Sequence, residues 1–251
     1  MGRPLTGAQA FESLRAAQKP AFGAPAYSRW VNRPAGRILA VAAYRAGLTP
    51  NQVTAVSALF SAAGILALGL VEPSGALGVA VAGLLATGYA LDSADGQLAR
   101  LTGLGRPSGE WLDHTVDSAK ICALHAAVLL SWWQWGPSGD SLGLVHVALP
   151  LAFLLVNVLA FFGWLLADLL MRILRAQRGI AKAPDRGPAT ALRSLLRLPS
   201  DYGLLVLTFL LWASPAFPAI YAVLMAANLV ILLAALPTWF GQVRRAEQEA
   251  A

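Results

Sequence analysis

Apolar runs matched to the thickness of a lipid bilayer set the terms for this 251-residue chain. A hydrocarbon core of roughly 30 Å takes about twenty helical residues to cross. Six segments approach that length: residues 51–71, 74–91, 111–133, 142–170, 201–213 and 217–240. The fifth is the shortest, bracketed by Pro199 and Pro215. Charged residues make up 13% of the chain, against roughly 25% in soluble domains. The expected fold is therefore all-α: a polytopic membrane protein of six transmembrane helices preceded by a juxtamembrane amphipathic helix.

Orientation follows from Lys and Arg, which collect in cytoplasmic loops. Seven lie before Asn51, seven between Arg172 and Arg197, and the others are Arg100, Arg106, Lys120, Arg244 and Arg245. With six spans all nineteen fall on one side, and the three opposite turns carry none. Both termini are thus expected in the cytoplasm. The net charge of +6 flanks spans instead of forming one basic run with interleaved aromatics. Anionic lipid is the expected partner, and nucleic acid is not.

A flexible leader, residues 1–26, is expected before one transmembrane domain, residues 27–245, and a short tail, residues 246–251. Residues 27–46 alternate apolar positions with Arg29, Arg33, Arg37 and Arg45, which predicts a helix in the headgroup plane, broken or kinked near Pro34. Thr49 and Pro50 read as the cap and first residue of span one. Trp132, Trp133 and Trp135 suit an interfacial belt at the outer end of span three. A short amphipathic helix is expected at residues 191–198. The lone Cys122 excludes an intrachain disulfide.

Five of the thirteen acidic residues fall within residues 91–120. Asp92 and Asp95 end span two, and Asp113 and Asp117 begin span three, so a short turn aims four carboxylates at one another. Such crowding is repulsive unless compensated. Hard oxygen donors in this number suit Mg²⁺ or Mn²⁺, as a pair of ions, with positions left for phosphate oxygens. Gly96 and Ala99 leave room for a substrate beside the helix, and Arg100 is placed to meet phosphate. These parts fit phosphoryl transfer. Acidic residues that merely face water or pair with Arg100, Arg106 and Lys120 are the competing reading, which four ionisable groups on facing helices make the weaker one.

Asp92-x-x-Asp95-Gly96-x-x-Ala99-Arg100, followed after eight residues by Gly109-x-x-x-Asp113-x-x-x-Asp117, resembles the CDP-alcohol phosphatidyltransferase family at every fixed position of its signature. Residues 28–33 and 49–54 further resemble members that make inositol-phosphate phospholipids. The resemblance implies Asp92, Asp95, Asp113 and Asp117 as metal ligands, with Asp117 also the general base. It implies Gly96, Ala99, Arg100 and Gly109 at the CDP site. The implied reaction is attack of an acceptor hydroxyl on a CDP-linked donor, CDP-diacylglycerol foremost, with CMP leaving, and a homodimer is typical of such enzymes.

Around this core, Asn51 and Thr54 reach either the nucleotide or only their helix neighbours. Lys120 meets either a phosphate or the carboxylates. Arg172, Arg193 and Arg197 are candidates for a charged acceptor, although a positive-inside loop holds arginines anyway. Asp201 suits a helix N-terminus without any function, and Asp168 pairs with Arg172 or faces the cavity. His114, His125 and His146 have no ligand spacing. An intramembrane prenyltransferase would need a second acidic motif, and the second half offers only isolated Asp168, Asp185 and Asp201. A divalent-metal transporter would carry polar residues through the full membrane depth, whereas here the charges stop at one end.

Overall fold

A computed structural model describes residues 5–16, 23–136, 140–177, 179 and 190–248. Much of the basic loop between residues 177 and 190, including Asp185, and parts of the leader lie outside the described residues. Within the leader, expected to be flexible, Gly7–Ala16 forms helix α1. The Thr6 amide donates to Gln9 Oε1 at 2.9 Å and the Gln9 amide to Thr6 Oγ1 at 3.3 Å, a reciprocal cap. Ala10 and Leu14 are fully buried, and Leu14 packs with Ala40, Ala43, Val53, Ala94 and Leu98.

The break expected near Pro34 does not form. A widened π-type turn, Ser28–Asn32, runs directly into helix α2, Arg33–Arg45, and stands just before Pro34, whose ring and missing N–H an ordinary α-turn would not accommodate. The turn buries Asn32 and helix α2 buries Gly36, Ala40 and Ala43, while Trp30, Val31 and Ile38 are left exposed. Apolar residues on that outer face suit a helix lying in the headgroups.

Helix α3, Pro50–Leu70, starts as its sequence predicts, with Thr49 and Gln52 forming a second reciprocal cap. It packs on helix α4, Gly75–Thr102, through small residues. Ser57 Oγ donates to the Gly88 carbonyl at 2.8 Å, and a Cβ on Gly88 would lie 2.4 Å from Ser61 Oγ. Only glycine permits this backbone approach. Gly103, at φ 67°, ends α4 in the left-handed region, and Pro107 opens helix α5, Pro107–Trp135.

Helix α6, Asp140–Gln177, helix α7, Ala191–Leu196, helix α8, Tyr202–Thr208, and helix α9, Phe217–Gln248, complete the chain. Helix α7 is two residues shorter than expected. The weak fifth segment is helix α8 extended by a single turn, Phe209–Leu211. Its start touches Tyr89, with ring centroids of Tyr89 and Tyr202 5.1 Å apart, and its end meets Gly78. It therefore follows α4 across eleven residues, about 16 Å of helix. Helix α9 continues past the expected domain edge at 245, and Ala246 is buried.

The bundle core gathers Leu68, Leu85, Leu124, Phe153, Phe209 and Phe217. His125 joins three helices there, with Nδ1 2.5 Å from Tyr221 Oη and Nε2 2.8 Å from Asn157 Nδ2. Trp132 also turns inward, its ring 5.0 Å from His146 and 5.7 Å from Tyr221, so the expected tryptophan belt does not include it. Packing against Tyr221 overrides the interfacial preference of that one ring.

The protein is all-α and polytopic: among the described residues there is no strand. Helices α3, α4, α9 and residues 143–177 of α6 are long and apolar enough to cross a membrane. Helix α5 has the length but carries Glu110, Asp113, Asp117 and Lys120 in its first half. Leu59 and Phe240 are each 70% exposed, an exposure that lipid, not water, accommodates.

Candidate functional site

One end of the bundle collects the start of α3, the last turns of α4 and the first half of α5. Polar residues there serve one another. Thr54 Oγ1 donates to Asp95 Oδ2 at 2.6 Å, and also lies 3.1 Å from the Pro50 carbonyl of its own helix. Asp95 is 5% exposed. Lys120 is buried too, its ammonium 2.6 Å from Asp92 Oδ1 and 2.7 Å from Asp117 Oδ1. This lysine ties α4 to α5 and offsets two like charges that would otherwise repel at close range.

A cavity of about 180 Å³ opens beside these groups. Helix α4 supplies Asp92, Asp95, Gly96 and Arg100, α5 supplies Asp113, and α2 supplies Arg33. Ser93 and Gln97 complete the wall. A Cβ placed on Gly96 would find only Arg100 Nη1, at 3.7 Å, within 4 Å. The glycine therefore leaves open space where a ligand approaches the α4 backbone.

The expected metal ligands divide into two groups. Asp113, His114 and Asp117 each offer a ligand atom, and those atoms lie within 4.8 Å of one another. Asp92 and Asp95 stand on the facing helix, the first held by Lys120 and the second by Thr54. Hard carboxylate oxygens on both sides of a small polar cavity fit a divalent cation.

Other expected residues stand around this centre. Asn51 touches the α5 start: a Cβ on Gly109 would lie 3.2 Å from its Oδ1. Ala99 follows Asp95 by one turn of α4 but does not line the cavity. Arg172 pairs with Glu110 at 2.7 Å and with Asp168 at 3.1 Å, on an exposed face. Arg193 is exposed on α7, and Arg197 donates to the Gly23 carbonyl at 3.1 Å. None of these three arginines lines the cavity. Asp201 caps α8 by accepting from the Gly203 amide, and its second oxygen accepts from the Ser28 amide at 2.7 Å.

The family model for CDP-alcohol phosphatidyltransferase matches residues 47–240. The chain belongs to that family. No curated protein matches it. As a CDP-alcohol phosphatidyltransferase it is a membrane transferase of phospholipid biosynthesis, and the matched span holds every residue of the α4 and α5 signature.

Several cavity residues of this phosphatidyltransferase escaped the sequence reading. Arg33 lies outside the matched span and looked like one more surface arginine. Burial holds its guanidinium below the usual value. Its helical position was the available signal, because Arg33 is three residues before buried Gly36. Gln97 and Ser93 sit between the signature positions and carried no mark of their own. Of the three histidines, His114 is the one close enough to the cluster to matter, and its ring offers a ligand atom beside those of Asp113 and Asp117.

Proposed function

We propose that this enzyme moves a substituted phosphate group from CDP-diacylglycerol to a hydroxyl acceptor and releases CMP. The convergence of Asp92, Asp95 and Asp113 from two helix ends on one small cavity, with Asp117 one turn beyond Asp113 and sharing its potential ligand set, carries the reading. The acceptor oxygen attacks the β-phosphorus, and the bond from that phosphorus to the oxygen shared with CMP breaks. Asp117 takes the hydroxyl proton, a task for an ionised carboxylate near the acceptor. Its Oδ1 lies 2.7 Å from the Lys120 ammonium, which holds the carboxylate in place.

Asp92, Asp95, Asp113 and Asp117 would hold Mg²⁺ or Mn²⁺, as two ions, with His114 beside them. When bound, the ions neutralise the diphosphate and the departing CMP. Arg100 meets the same anion, while the bare backbone at Gly96 lets the nucleotide come close. Ala99 and Gly109 keep the flanking helix faces small, and Asn51 reaches toward the nucleotide from α3. Thr54 fixes the rotamer of Asp95. Positioning and charge neutralisation provide most of the catalysis in such transfers. A charged acceptor would be drawn by Arg172, Arg193 and Arg197, which border this end of the bundle.

In this reading the chain crosses six times, the short fifth segment completed by its neighbours, with the cavity at the cytoplasmic face and both termini inside. Trp111 and Trp133, 68% and 77% exposed, support α5 as a crossing. They are twenty-two residues apart, about 33 Å along a helix, which puts one at each membrane interface. The deciding experiment is CMP release by purified protein with CDP-diacylglycerol and a panel of acceptors: glycerol phosphate, inositol, inositol phosphate and serine. Metal-dependent release with one acceptor is expected. No release with any of them from any CDP-alcohol would overturn the reading.

A further inference from the structure

The four arginines at and along α2 have different surroundings. Arg29 donates to Ser194 Oγ at 3.2 Å, Arg37 lies over the Phe11 ring at 5.3 Å, and Arg45 is exposed at the far end. Arg33 alone among these four lines the carboxylate cavity. A surface helix attracted to anionic lipid presents arginines on its outer, polar face. Arg33 is instead three residues before Gly36 and seven before Ala40, on the stripe that α2 buries.

Two contacts fix it there. Gln97 Nε2 donates to the Arg33 carbonyl at 3.0 Å. Gly36 lets the backbones of α2 and α4 approach, since a Cβ at that position would lie 2.7 Å from the Ser93 Cβ. Gln97 and Ser93 are themselves cavity residues. The wall that surrounds the cavity therefore also sets where α2 delivers its arginine.

Arg100 enters the same cavity from α4. Two guanidinium groups share a space of about 180 Å³ with the carboxylates of Asp92, Asp95 and Asp113, and those carboxylates, once they hold cations, would leave both guanidiniums to a ligand with adjacent negative charges. Guanidinium also matches phosphate oxygens through paired, parallel hydrogen bonds, a geometry that an ammonium lacks.

We propose that Arg33 is a donor-binding residue, reaching from the juxtamembrane helix to a phosphate of the CDP diphosphate and sharing that group with Arg100. The inference rests on the function proposed above and makes the surface helix part of the donor site. CDP alone is the probe, titrated calorimetrically with Mg²⁺ into the full chain in lipid nanodiscs. Arg33→Gln is expected to weaken CDP binding by about ten-fold or more, with Arg33→Lys intermediate because it keeps charge but not the fork. Arg45→Gln is expected to bind CDP like the unmutated chain. Ligand-free melting temperatures should stay within about two degrees across the set.

CDP binding by Arg33→Gln within about three-fold of the unmutated protein would refute the assignment. So would a loss shared equally by Arg33→Lys and accompanied by early melting, which marks a packing role. Should Arg33→Gln fail to fold, Arg33→Lys decides: binding equal to the unmutated chain refutes the proposal, and weaker binding without early melting supports it. An unmutated chain that binds no CDP at all would sink the proposed function itself. Normal binding there with undiminished binding by Arg33→Gln sinks only the role of Arg33.

Discussion

At the scale of single residues, the site depends on partners that hold Asp92, Asp95 and Asp117 in place. Asp117 is held by Lys120, so its replacement separates base chemistry from binding. Asp117→Asn is expected to lower CMP release by about 10²–10⁴-fold while CDP binding stays largely intact. Parallel loss of both, seen in a turnover assay beside a CDP titration, would make Asp117 chiefly a metal ligand. Thr54 has a different task, since its hydroxyl is the donor that reaches buried Asp95. Hydrogen bonds to charged groups contribute about 1.5–3 kcal/mol. Thr54→Val is therefore expected to shift the Mg²⁺ dependence of CMP release to higher concentration. A Mg²⁺ curve that overlays that of the unmutated protein would mean Asp95 needs no such support.

Elements show where local signals suffice and where packing decides. Thr49-x-x-Gln52 and Thr6-x-x-Gln9 are the same capping pattern, and both caps form. The first opens a largely apolar helix of twenty-one residues and was legible. The second opens a ten-residue helix, a length that is marginal in isolation, within an Ala, Pro and Gly-rich leader. Docking of Leu14 against α2 and α4 decides it. Leu14→Ala is expected to cost about 2–5 kcal/mol of local stability, seen as faster amide exchange across α1. Unchanged exchange there would show that α1 does not depend on this anchor. The Asp201 latch to Ser28 is likewise tertiary: helix capping was predictable from Asp201, but not the second partner 173 residues away.

For the whole molecule, the issue is which helices cross and which end holds the chemistry. A Cys122→Ala background makes a test possible, because Cys122 is the chain's single cysteine. A cysteine at Ser74 should react with an impermeant reagent from outside intact cells, and one at Gly105 only after permeabilisation. The opposite pattern would invert the proposed orientation. Chelation of divalent ions should abolish CMP release and Mg²⁺ or Mn²⁺ should restore it, whereas full activity in chelator would remove the metal from the reaction.

Apolar run length determined the all-α membrane fold by itself, because helical period and bilayer thickness are local rules, and the signature around Asp92, Asp95, Asp113 and Asp117 carried the family resemblance that the match over residues 47–240 bears out. Those rules also foresaw the Thr49 cap and the extent of α3. The sequence could not place Arg33 in the cavity, Lys120 between Asp92 and Asp117, or Trp132 inside the bundle. Each depends on how separate helices meet, and that is fixed by close approaches such as Gly36 on Ser93 and Gly88 on Ser61. Which arginine stays on the outer face and which lines the cavity is set by those approaches, since both begin as the same residue on the same amphipathic helix.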